Sequence, residues 1–223
     1  MVPREQIATA RVPGGEELTL YRRGADFTIV LERNELMNSR LSGSEEALAT
    51  MTLERLGNPA APHLLIGGYG MGFTLRAALA AVGPDARVTV AEIVPEIVEW
   101  ARGPMRALTA GCLDDPRVEL IEADVAAVIA DGVGDYDAIL LDVDNGPDAL
   151  VREGNGWLYR MSGLREARRA LRPGGVLAVW SAYRDHAFTR RLGDARFAVE
   201  EVKVRARSNG KGAHHVIWFA QVA

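Results

Sequence analysis

The stretch from His63 to Leu79, HLLIGGYGMGFTLRAAL, runs an apolar strand into spaced glycines and then into an apolar helix pattern. A strand that meets glycines and turns at once into a helix is the opening unit of a parallel α/β sheet. The glycines Gly68, Gly70 and Gly72 read G-x-G-x-G. They permit positive φ and a close approach of ligand to backbone. The dinucleotide pattern G-x-G-x-x-G would put its third glycine at Phe73 or Leu75, so neither register fits. A phosphate loop needs G-K-[ST], and the turn has no lysine. The turn therefore favours a ligand without phosphates, held by a sugar and a polar tail.

Strand and helix patterns alternate after this turn. Strands are expected at 63–67, 87–92, 117–122, 136–142 and 175–181, with helices at 73–82, 95–102, 124–131 and 161–171. The last helix should stop at the turn Arg172-Pro173-Gly174-Gly175. Five such units predict a doubly wound parallel sheet. Residues 196–223 read as two long strands around a glycine-rich turn, an antiparallel addition to that sheet. Before it, 17–22 and 26–31 alternate apolar and polar around Arg23-Gly24-Ala25 and predict a β-hairpin. An irregular segment follows, then a helix opened by Ser42 or Ser44 and ended by Gly57-Asn58-Pro59. The expected organisation is an extension, 1–62, ahead of a sheet domain, 63–223.

The chain has 223 residues and a net charge of −4, which offers no basic field to a nucleic-acid backbone. Its single cysteine, Cys112, forms no internal disulfide and no thiolate metal site alone. The first fifteen residues lack the apolar core of a secretory signal. No apolar run approaches the ~20 residues that span a bilayer. A reducing cytoplasm is the expected compartment, with no membrane and no nucleic acid as partner.

Two acids fall at strand ends. Glu92 closes RVTVAE, twenty residues beyond Gly72, where a carboxylate accepts both hydroxyls of a ribose. That suits an adenosine-type ligand and repels a 2′-phosphate. Asp124 ends LIEAD, where a purine edge would lie, and can accept from an exocyclic amine. The glycines and both acids converge on one crevice at the carboxyl ends of the strands.

These segments resemble the class I S-adenosylmethionine-dependent methyltransferases, in the branch of the spermidine synthases. LLIGGYGMG, VTVAEIVPEIVEWAR, DPRVELIEADVAAVI, YDAILLDVDNGP and LRPGGVLAVWSA match that branch's successive motifs over roughly 63–182. The resemblance implies a Rossmann-like, seven-stranded sheet with an antiparallel C-terminal hairpin, and a homodimer. It implies that Gly67, Gly68, Gly70 and Gly72 line the cofactor. Glu92 with Ile93 would hold the ribose, Asp124 with Val125 the adenine, and Asp142 would lie by the sulfonium. The chain departs from the spermidine synthase pattern at three places. The acid inside the glycine turn, which grips the amine of decarboxylated S-adenosylmethionine, is replaced by Tyr69, Gly70 and Met71. The D-S-S-D-P motif reads Asp142-Val143-Asp144-Asn145-Gly146-Pro147. The Gln and the Tyr-His or Tyr-Gln pair of the N-terminal segment are missing, and Glu45 and Glu46 stand near the pair's place.

Asp142, Asp144 and Asn145 are the candidate catalytic residues. A carboxylate beside an amine can orient it, take its proton and balance its charge. Trp157 and Tyr159 either wall a substrate pocket or anchor the core. His214 and His215 are adjacent in a strand, so they point to opposite faces and cannot chelate one metal; one of them can face the crevice as a base. His186 reads as a surface residue. No metal is expected. The expected function is methyl transfer from intact S-adenosylmethionine to a small, amine-bearing acceptor. The alternatives are aminopropyl transfer from the decarboxylated cofactor and a non-catalytic cofactor binder.

Overall fold

The computed structural model describes residues 2–143, 147 and 153–223. Asp144 and Asn145 lie outside them. The N-terminal part is a four-stranded antiparallel sheet in the order β1-β2-β3-β4, formed by β1 (Glu5–Arg11), β2 (Glu17–Arg23), β3 (Asp26–Leu31) and β4 (Asn34–Asn38). The predicted hairpin is its centre, with Arg23 paired to Asp26 across the two-residue turn Gly24-Ala25. The sequence reading is corrected at both edges, where β1 and β4 add a strand each. Their residues are mostly exposed or half-buried, so they lack the buried residues that mark β2 and β3. Leu18, Leu20, Phe27 and Ile29 are buried beneath this sheet. Each such side chain contributes about 1.5–3 kcal/mol of transfer free energy.

Helix α1 (Gly43–Arg55) ties this sheet to the rest. Ser42 occupies its N-cap position but makes no side-chain cap hydrogen bond. The helix buries Leu48, Ala49 and Leu53 in the same apolar cluster as Leu20, Ile29, Leu64 and Ile66. Gly43 donates its backbone N–H to Ala206 O at 2.9 Å. A Cβ there would strike the backbone of Arg207.

The second sheet has seven strands in the order β10-β11-β9-β8-β5-β6-β7. They are β5 (His63–Gly67), β6 (Arg87–Glu92), β7 (Val118–Glu122), β8 (Tyr136–Leu141), β9 (Leu171–Ser181), β10 (Phe197–Arg205) and β11 (His214–Val222). β5 to β9 run parallel, while β11 lies antiparallel between β9 and β10. The connecting helices are α2 (Phe73–Ala81), α3 (Pro95–Arg102), α4 (Arg106–Thr109), α5 (Val125–Asp131), α6 (Met161–Ala170) and α7 (His186–Asp194).

Period-two alternation divides the strands between two cores. Leu64, Ile66, Val88, Val90, Ala138 and Leu140 face the cluster shared with α1 and the N-terminal sheet. Leu65, Ile139, Leu141, Leu177 and Val179 face the cluster with α5, α6 and α7. One boundary differs from the sequence reading. The Arg172-Pro173-Gly174-Gly175 segment is the start of β9 and not a separate turn. Gly174 takes φ +77°, and the register with β8 slips between Tyr136 and Ala138, so the strand absorbs the irregularity.

Candidate active site

The carboxyl ends of β5, β6 and β8 and the N-terminal sheet enclose one cleft, with about 1000 Å³ of empty space, its mouth included. The floor is Gly68, Gly70, Ala91, Glu92, Ile93, Asp124, Val125, Asp142 and Val143. Val12, Leu18, Ile29, Leu31, Leu36 and Met37 roof it from the N-terminal sheet.

The glycine turn is shaped by its neighbours. Gly68 has φ +83°, and a Cβ on it would lie 2.6 Å from the backbone O of Asp142. Gly70 has φ +55°, with its Cβ direction 2.6 Å from Met37 Cε. Both line the cleft. Gly67 and Gly72 serve packing instead. A Cβ on Gly67 would meet Val125 Cγ2 at 2.8 Å, and one on Gly72 would meet the Tyr69 hydroxyl at 2.7 Å. Tyr69 points away from the cleft, its hydroxyl 3.4 Å from Cys112 Sγ.

Glu92 is 5% exposed at the end of β6. Its Oε2 accepts from Tyr69 N and its Oε1 from Val94 N, both at 2.9 Å. The carboxylate thus ties the glycine turn to the start of α3. Burial raises its pKa, and these backbone N–H groups pull the other way. Asp124 caps α5, with Oδ1 accepting from Ala126 N at 2.9 Å, and lines the cleft beside Ile93 and Val125.

Asp142 emerges from β8 at the centre of the cleft, and Glu45 of α1 reaches it from the other side. Thr74, in the first turn of α2, links them. Its Oγ1 lies 3.2 Å from Asp142 Oδ2 and 3.3 Å from the backbone O of Glu45. Burial pushes the Glu45 carboxyl up to about 8, helped by the Asp142 charge and opposed by a Ser44 hydrogen bond. Burial likewise pushes Asp142 up to about 6, and the Thr74 bond opposes it. The two carboxyls titrate as a pair that holds one proton near neutrality.

The remaining expected residues are dispersed. Glu46 lies on a surface groove with Arg76 and Arg106, outside the cleft. Tyr159 is 3% exposed and meets Phe188 edge-on at 5.7 Å, inside the second core. Trp157 packs on that core as well. His186 and His214 are exposed, and His215 is half-buried behind Glu45. The sequence reading did not single out Thr74, which bonds Asp142, nor the cleft residues Asn155 and Trp180. Trp180 sits in the strand pattern VLAVWS, which reads as core. Among the described residues its indole N–H is buried and has no partner.

Comparison with known proteins decides the branch of the fold. A polyamine aminopropyltransferase from Mycobacterium tuberculosis is 30% identical over 181 residues, which covers 78% of this chain and 32% of that protein. One from Streptomyces coelicolor is 34% identical over 134 residues, covering 57% of this chain and 24% of the relative. The solved spermidine synthase from Thermotoga maritima superposes with a TM-score of 0.77 at 18% identity, covering 98% of this chain and 73% of that one. The chain is spermidine synthase-like. A spermidine synthase solved with the transition-state analogue AdoDATO gives a TM-score of 0.75 at 18% identity, covering 98% and 72%. No protein-family profile matches the chain. The spermidine synthase-like chain spans about a third of the length of the curated relatives it matches first. Among its described residues no helix is long and apolar enough to cross a membrane.

Proposed function

We propose that this chain transfers an aminopropyl group from decarboxylated S-adenosylmethionine to an amine acceptor. One observation carries the reading. The described cleft residues include Glu45, Glu92, Asp124 and Asp142, and no Arg, Lys or His. A donor with a free carboxylate would face these acids with no cation among the described residues to receive it, at a desolvation cost. A donor whose tail ends in an ammonium faces the Glu45–Asp142 pair instead. The glycine turn lacks an acid, which by itself favours the intact cofactor; α1 supplies Glu45 to the same cleft, and the relatives' names agree with the decarboxylated donor.

The residues have distinct roles in this reading. Backbone at Gly68 and Gly70 lets the sugar approach. Glu92 receives the ribose hydroxyls and Asp124 the adenine amine. Asp142 orients the acceptor nitrogen, which attacks the donor's propyl carbon. The carbon–sulfur bond breaks and its electron pair neutralises the sulfonium. A proton leaves the new ammonium for the carboxyl pair. Methyl transfer uses the same fold and remains the second reading.

Calorimetric titration with decarboxylated and with intact S-adenosylmethionine, followed by a primary-amine panel, tests the proposal. Tighter binding of the decarboxylated donor with turnover is the expected result. Preference for the intact donor returns methyl transfer, and tight binding with no turnover leaves a non-catalytic binder.

A further inference from the structure

A hydrogen-bonded line leads out of the cleft behind Glu45. Ser44 is fully buried, and its Oγ–H donates to Glu45 Oε2 at 2.7 Å. On its other side, Ser44 Oγ lies 2.8 Å from His215 Nδ1. His215 belongs to β11 and sits edge-on to Trp180, ring centroids 4.8 Å apart. Three groups that each give and take a proton thus run from α1 to the seven-stranded sheet.

The line has two internally consistent arrangements. With Glu45 protonated, its O–H donates to Ser44 Oγ and the Ser44 O–H donates to Nδ1. With Glu45 ionised, Nδ1–H donates to Ser44 Oγ and the Ser44 O–H donates to the carboxylate. Going from the first to the second moves one proton from Glu45 to the imidazole, with no heavy atom displaced. The imidazolium then loses its Nε2 proton to water, which leaves a neutral ring with its proton on Nδ1. Rotation of the half-buried ring, or exchange of its proton with water, restores the Nε2–H form before the next proton is passed.

The surroundings favour release. Val204 of β10 pairs directly with His215 and shares its face, while Lys203 and Arg205 lie on the opposite face. From β9, Trp180 covers the ring, and from α1 the facing groups are Ser44 and, through it, Glu45. Burial alone lowers the His215 pKa. The ring therefore gives up an added proton readily.

We propose that Ser44 and His215 form the outlet through which the proton taken from the acceptor amine passes from Glu45 to solvent. This rests on the aminopropyl-transfer reading. Ser44 and His215 act through Glu45 and are positioning residues.

The test uses the whole purified chain with decarboxylated S-adenosylmethionine and a primary-amine panel. His215→Asn keeps a side chain able to bond Ser44 but removes the titrating ring. Its kcat should fall by roughly tenfold or more, with KM for both substrates unchanged and added imidazole restoring the rate saturably. Ser44→Ala should slow turnover similarly, and Ser44→Thr should recover it. Full His215→Asn activity from about pH 6 to 9, or a loss that imidazole does not mend in a folded protein, overturns the outlet. Failure of the wild type to turn over any amine overturns the aminopropyl-transfer reading instead. The link is then read by NMR: the His215 titration must move in Glu45→Gln and in Ser44→Ala, and an unmoved titration removes the relay.

Discussion

Replacing Glu45 by Gln should make the protein more stable at alkaline pH. The side chain is 8% exposed and keeps its proton up to about pH 8 in the folded state, against an ordinary value of 4.5. Below pH 4.5 both states are protonated and the group costs nothing. As pH rises from 4.5 towards 8, the unfolded chain releases this proton while the folded chain keeps it, so stability falls. The span from 4.5 to about 8 corresponds to at most about 5 kcal/mol. Water entering the cleft and sharing of the proton with Asp142 bring this to about 2–3 kcal/mol. Gln has the shape of the protonated acid and no proton to lose. Urea unfolding of both proteins at about pH 5 and about pH 8.5 isolates the term, because the other groups cancel in the difference. The variant's advantage should grow by about 2–3 kcal/mol between the two pH values, or roughly 5–10 °C in melting temperature for a chain of this size. An advantage that does not change with pH would show that Glu45 is not a proton-holding buried acid, and would undo the argument for a carboxyl pair.

Three further outcomes follow from the site. Asp142→Asn should leave donor binding within about twofold while turnover falls by roughly 10²–10⁴, measured by calorimetry and product assay; a fully active variant ends its role. Glu92→Ala should weaken donor binding by at least about tenfold and loosen the glycine turn, since Tyr69 N and Val94 N lose their acceptor; unchanged affinity removes Glu92 from the ribose site. Gly70→Ala should lower donor affinity, because its Cβ would press 2.6 Å from Met37 Cε at φ +55°, and Met37→Ala added to it should recover part of the loss if crowding is the cause.

The parallel sheet was legible because its strands are apolar runs punctuated by glycine turns and helical periods, and Leu64 to Gly67 or Ala138 to Leu141 can be little else. β1 and β4 were not, since edge strands such as NELMN owe their conformation to a neighbour rather than to a buried face. That Glu92, Asp124 and Asp142 line one cleft follows from their positions, as each closes or follows a strand where the topology opens. The partner of Asp142 was half-seen. Glu45 was placed near a substrate, yet its pairing across 97 residues with Asp142 depends on how α1 docks, which no local pattern encodes. Ser44 meeting His215 across 171 residues is the extreme case.

The placement of β11 has a consequence for how the protein is made. The last strand in the chain is an interior one, flanked by β9 and β10, and it carries Trp218 and Phe219 into the two cores. During synthesis β9 therefore waits with an open edge until residues 214–222 leave the ribosome. The N-terminal sheet can close at once from neighbouring strands, whereas the seven-stranded sheet waits for β11 and closes through long-range pairing. His215 arrives on that same strand. A nascent chain can already hold the glycine turn and the acids of the cleft while it still lacks the histidine behind Glu45.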